Sequence, residues 1–212
     1  KNSILIKAEN QYQRAFHDLS YHVERLHGEL GNTLAVNSAS TGMHRKGLVN
    51  VWRLTSEAQN EINQLPLTLL PFSQTEEFLS KISNFSYKAA IRDFTKQPLT
   101  DGEMSNLKAL YKSSGEISKD LQQVQNKVIK NRLRWMDVES ALASEDEVKD
   151  NTIIDGFKTV DKRVSAYPEL DYGPSVASIY AKRSVKKHGG SLVSPQEIKT
   201  KAAKFANAGN GA

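Results

Sequence analysis

The chain has 212 residues, 38% of them hydrophobic and 8% aromatic, enough for a lean core of one large domain or one domain plus a fragment of another. It contains no cysteine, which excludes disulfides, thiol nucleophiles and cysteine-held metals. The net charge of +5 sits mainly in the tail, where residues 165–212 carry seven basic against three acidic side chains. The remainder is nearly neutral, so no nucleic-acid partner is expected.

No apolar run approaches the roughly 18–20 residues of a membrane span, and no secretory leader is visible. The chain opens on Lys1-Asn2-Ser3-Ile4, already close to helical pattern, which is compatible with an upstream segment. A first helix is predicted from about Ser3 to about Asn37, carrying Tyr12, Phe16, Leu19, Val23, Leu26, Leu30 and Leu34 at spacings of three and four. Ser38-Ala39-Ser40-Thr41-Gly42 interrupts it. A second seam, Leu48, Val51, Thr55, Ala58, Ile62 and Leu65, runs to Pro66. The connection that follows, Leu65 to Phe72, is apolar apart from Thr68 and contains two prolines, which break a helix.

Ser73-Gln74-Thr75-Glu76 reads as a capping box opening a third helix with Phe78, Ile82, Phe85 and Ala89, with Phe94 near its end before Pro98. Thr100-Asp101-Gly102-Glu103 reads as a second box. It opens a fourth helix whose seam is Leu107, Leu110, Ser114, Ile117, Leu121, Val124, Val128, Asn131, Trp135, Val138 and Leu142. Unbroken, that helix would hold ~40 residues and span ~60 Å, the length of a rod. Asn131 on such a seam is expected to fix register rather than to bind a ligand. After the acidic turn Glu145-Asp146-Glu147, the residues Ile153, Ile154, Phe157, Val160 and Val164 predict a shorter fifth helix covering the end of the fourth.

The predicted fold is therefore all-α: an elongated antiparallel bundle of four long helices plus a shorter fifth over residues 1–165. A mostly irregular tail, residues 166–212, follows, with a helix start at Ser194-Pro195-Gln196-Glu197 running to about Ala206. Long seams of this kind are completed by internal helices or by a second copy, and a homodimer stays open.

Nothing marks an enzyme. His17, His22 and His27 lie five residues apart, a step of about 140°, and fan around the helix rather than converging on a metal. No zincin, nucleophile-elbow, P-loop or dinucleotide motif occurs. No catalytic, metal or cofactor site is therefore assigned. Two surfaces are candidates for a protein partner. One is Arg132, Arg134 and Met136, off the seam beside Trp135, because arginine next to aromatic surface is typical of protein contacts. The other is Leu67, Leu69, Leu70 and Phe72 of the apolar connection, which otherwise plugs the bundle's end.

The segments Ala8 to His17, Leu30 to Ala35, Gly47 to Arg53, Leu65 to Phe72, Leu133 to Glu139 and Asn151 to Phe157 together resemble the YpeB family of spore germination proteins. The resemblance implies a helical N-terminal region behind an upstream anchor, on the outer side of the spore inner membrane. It also implies PepSY domains downstream, of which the tail holds a truncated start, and a cortex-lytic transglycosylase, SleB, as partner. It brings no catalytic residues. The expected role is to bind and stabilise, restrain or localise that enzyme. The alternatives are an extracytoplasmic sensor module, which requires a cavity near Asn131, and a membrane-tethered spacer.

Overall fold

A computed structural model of the chain describes residues 2–36, 40–66, 72–143 and 152–167. The chain divides into two units, Lys1–Val176 and Ala177–Ala212, and the second lies outside the described residues. So do the tail helix expected from Ser194, the acidic turn at Glu145, and Leu67, Leu69 and Leu70. Six helices and no strand are seen among the described residues: α1 (Asn2–Ala35), α2 (Thr41–Ile62), α3 (Ser73–Ile91), α4 (Asp101–Lys130), α5 (Trp135–Ala143) and α6 (Thr152–Ser165). The all-α expectation holds.

The seams are the core. Phe16, Leu19, Val23, Leu26 and Leu30 of α1 and Leu48, Val51, Ala58 and Ile62 of α2 are all at most 3% exposed. Phe78, Ile82 and Phe85 of α3 and Leu107, Leu110, Ile117 and Leu121 of α4 join the same cluster. Each such aliphatic or aromatic burial is worth roughly 1.5–3 kcal/mol, which outweighs the weak propensity of any one residue.

α1 packs on α2 and α4, and α2 packs on α3. Paired contacts fix the directions. His27 meets Tyr111 and His17 meets Gln125, so α4 runs antiparallel to α1. Asn50 meets Glu29 and Gln59 meets Ser80, so α2 is antiparallel to both neighbours. The four-helix expectation needs one correction here. α6 does not merely cover the end of α4: it packs on both α3 and α4 and stands between them. Asp161 reaches the start of α3, and Arg163 reaches Asp120 of α4 at 3.0 Å. Gly156 permits the close fit to α4, since a Cβ there would lie 2.5 Å from Val124 Cγ2. Tyr167, just past α6, completes the join through its hydroxyl, which donates to the Ser113 carbonyl.

The two capping boxes diverge. At α4 the Thr100–Glu103 box is fully formed. Glu103 also receives both guanidinium nitrogens of Arg92 at 2.7 Å. Burial pushes the Glu103 carboxyl upward, but the hydrogen bonds from Arg92 and the Thr100 N–H prevail and hold it below the ordinary glutamate value. The box expected at Ser73 does not form. α3 starts there, with Phe72 at the N-cap and no side-chain cap. The orphan amide is satisfied from across the bundle instead, where the Thr75 N–H and hydroxyl both donate to Asp161. α3 also stops at Ile91, so Phe94 lies in the following turn, buried with Arg92 over its ring.

The predicted unbroken fourth helix is in fact two. α4 ends at Lys130, and α5 begins at Trp135. Arg132 takes a left-handed conformation, φ 50°, and it alone among the described non-glycine residues has positive φ. The Arg132 N–H donates to the Ile129 carbonyl and the Leu133 N–H to the Val128 carbonyl. Those are the 5→2 and 6→1 bonds of a Schellman termination, with Leu133 and Val128 supplying its apolar contact. α4 is thus 30 residues long, ~45 Å rather than ~60 Å. Asn131 is the C-cap and is exposed, so it does not set register from inside a seam.

Candidate binding cleft at the break between α4 and α5

The break builds a concave feature beside Arg132 and Arg134. Four residues, 131–134, turn the chain so that α5 restarts against α1 and α6. Trp135 is fully buried there, 5.1 Å from Phe16 and 5.9 Å from Phe157 between ring centroids. Phe72 closes the same aromatic cluster, 5.0 Å from Phe157. It therefore belongs to the core and offers no exposed contact, which is the plug alternative for this residue. The first turn of α5 is capped from another helix: the Trp135 and Met136 N–H groups donate to the two carboxylate oxygens of Glu9 at 3.1 and 3.0 Å. Such a cap satisfies two orphan amides and places negative charge at the positive end of the helix.

Beside this joint lies a cleft of about 540 Å³ between α1 and the end of α4. Its inner wall is apolar, from Phe16, Val128, Leu133 and Trp135. Its rim carries Gln13 and His17 from α1, Gln125 from α4, and Arg132 and Arg134 from the break. The Gln125 amide donates to His17 Nδ1 at 3.0 Å. Neither arginine side chain has an ion-pair or hydrogen-bond partner among the described residues. The one carboxylate in the lining, Glu9, is already committed to the α5 amides and to Gln13. Ile129, 68% exposed, stands at the edge. The Trp135 indole N–H is buried without a partner.

The structure therefore brings Arg132 and Arg134 to one cleft, both exposed, and places Met136 half-buried next to them. Sequence reasoning missed Glu9, Gln13, His17 and Gln125 at this site. Glu9, His17 and Gln125 meet partners more than 100 residues away, Gln13 joins through Glu9, and no local pattern marks such a meeting. It also missed an exposed aromatic pair, Trp52 on α2 and Tyr87 on α3, with rings 5.7 Å apart. The available signal was that Trp52 stands one residue after the seam position Val51, and so faces away from the core.

The three α1 histidines take separate partners. His17 meets Gln125, His27 stacks on Tyr111 with centroids 4.3 Å apart, and His22 lies between Glu57 and Glu61 at 3.2 and 3.0 Å. Burial pushes the Glu61 carboxyl up, and His22 works against that shift. Among the described residues no group of three or more histidine and carboxylate side chains is placed to hold a metal ion. No helix among them is long and apolar enough to cross a membrane. In the middle of the bundle, between Leu19, Val23, Phe78 and Ile117, the free space is about 10 Å³, at or below what one water needs. Among the described residues the bundle core therefore offers no space for a ligand, whereas the α4–α5 break does.

These features define a class: an all-α bundle with a concave surface at the joint between two of its helices. A family model described as YpeB N-terminal matches residues 1–137, and the chain belongs to that family. It is 49% identical over 208 residues to the sporulation protein YpeB of Bacillus subtilis strain 168, covering 97% of this chain and 46% of the relative. It is 44% identical over 203 residues to the sporulation protein YpeB of Oceanobacillus iheyensis, covering 95% and 45% respectively. The chain thus spans less than half the length of these relatives. No solved structure matches it. The relatives are named as sporulation proteins and not as enzymes, and a role connected with sporulation follows from the family.

Proposed function

We propose that this chain is the helical binding region of a sporulation protein that performs no catalysis of its own. Its partner is a cortex-lytic transglycosylase of the SleB kind, which it holds, restrains or places during dormancy. On this reading an anchor precedes Lys1, PepSY domains follow the tail, and the bundle lies on the outer side of the spore inner membrane. The observation that supports it is the joint face, where Arg132 and Arg134 stand exposed and, among the described residues, unpaired, beside half-buried Met136 and exposed Ile129. Cations of this kind next to apolar surface are what a protein partner's acidic and apolar side chains recognise. Leu67, Leu69 and Leu70 remain a second proposed contact.

The test is the affinity between this chain and the purified enzyme, with Arg132→Gly and Arg134→Ala combined. Glycine at 132 keeps the left-handed backbone while removing the guanidinium. A tenfold or greater loss of affinity with unchanged helicity supports the joint as the contact. An unchanged affinity removes it. A second reading, a sensor for a small molecule, is favoured by the cleft beside Asn131, whose volume falls in the range of ligand sites.

A further inference from the structure

The cleft also carries the chemistry of a specific ligand class. Its rim has amide groups from Gln13 and Gln125 and an imidazole from His17, groups that both donate and accept hydrogen bonds. Hydroxyl groups do the same, so this part of the rim suits a polyhydroxylated molecule. Arg132 and Arg134 add two guanidinium groups that pair with no carboxylate among the described residues, and guanidinium binds carboxylate in paired, planar geometry. The inner wall is apolar, with half-buried Leu133 presented to the cleft over buried Val128 and Trp135, and an apolar surface is what the C–H face of a sugar ring requires. Trp135 further leaves a buried indole N–H that nothing in the described chain satisfies. The volume, about 540 Å³, admits one or two sugar rings but not a folded partner.

We infer that the cleft between α1 and the α4–α5 break binds a carboxylate-bearing saccharide, with Arg132 and Arg134 on the carboxylate and Gln13, His17 and Gln125 on hydroxyls. Glu9 takes no part, because its oxygens hold α5 in place. The inference rests on the cleft being a ligand site, the second reading above, and it shares Arg132 and Arg134 with the proposed enzyme contact.

The chain offers its own probe. It has two tryptophans, so Trp52→Phe leaves Trp135 as the sole indole, inside the cleft wall. Trp52 lies on the α2–α3 surface and is not part of the cleft. The full 212-residue chain carrying W52F is titrated with D-glucuronate, D-glucose and acetate at constant ionic strength, following Trp135 fluorescence. The expected result is a saturable change with glucuronate alone, with a dissociation constant on the order of 1 mM for a ligand of that size. Adding Arg132→Gly and Arg134→Ala should weaken it at least tenfold. An equal response to glucose or acetate keeps a ligand site but overturns the ligand class. No saturable response to any of the three, or an undiminished response in the arginine variant, overturns the inference. The affinity for the lytic enzyme is a separate measurement between two proteins, so failure of the saccharide site and failure of the enzyme contact are told apart.

Discussion

Replacing Arg132 with glycine should stabilise the protein, although glycine replacements in helical chains ordinarily do the opposite. Arg132 sits at φ 50°, the C′ position of the Schellman termination of α4. A side chain with a Cβ costs roughly 1–2 kcal/mol in the left-handed region, and glycine removes that cost. Glycine also widens the unfolded ensemble, which returns about 0.4–1 kcal/mol. The exposed Arg132 side chain has no partner to lose among the described residues. The net expectation is a gain of about 0.5–1 kcal/mol, or roughly 1–4 °C in melting temperature for a bundle of this size. The assay is urea denaturation followed by far-UV circular dichroism, with Lys130→Gly as reference. Lys130 lies in the last helical turn of α4, where glycine should cost about 1 kcal/mol. The sign at 132 is what matters. If the helix ran unbroken through 131–134, as the heptad spacing predicts, both substitutions would destabilise equally. That result would refute the break and the cleft built on it.

Asp161→Ala should cost about 1–2 kcal/mol, read in the same denaturation assay, because it strips the Thr75 amide and hydroxyl of their buried acceptor at the start of α3; Ser73→Ala should change little, since that hydroxyl makes no cap. Gly156→Ala should destabilise by about 1 kcal/mol despite the better helix propensity of alanine, because its Cβ would press on Val124 and part α6 from α4. The Arg92–Glu103 clamp predicts a pH dependence. Since the folded carboxyl lies below the ordinary glutamate value, its contribution is present above the unfolded value near 4.5 and is lost as pH falls through the folded one. Wild type should therefore exceed Glu103→Gln in denaturation midpoint at neutral pH, and the gap should close in acid; a gap that widens on acidification would contradict the assignment.

The helices and their buried faces were legible because burial repeats with the helical period. Every seam residue of α4 named from the sequence is buried through Val128, and Trp135 and Val138 resume the pattern in α5. That continuity hid the break. Residues 131–134 restart the helix with the core face kept in register, and the left-handed position is held by arginine rather than by the glycine that usually marks it. The position of α6 was equally invisible, since its apolar stripe shows that it packs but not between which helices. The trans caps, Glu9 on α5 and Asp161 on α3, join residues 126 and 86 positions apart. A local capping signature such as Ser73 to Glu76 competes poorly with a well-placed buried carboxylate. At the candidate site the sequence supplied Arg132, Arg134 and Met136, because off-seam charge beside a seam aromatic is a local pattern. The α1 wall of the cleft depends on tertiary pairing and left no such trace.

The central claim is that this helical region is itself a binding module for a lytic enzyme. Its most direct test is size-exclusion chromatography with light scattering on the chain, on the purified cortex-lytic transglycosylase, and on their mixture. The account predicts a mixed species whose molar mass is the sum of the two partners and which is lost when Arg132→Gly and Arg134→Ala are combined. Two peaks at the separate masses, over concentrations from micromolar to tens of micromolar, would contradict it.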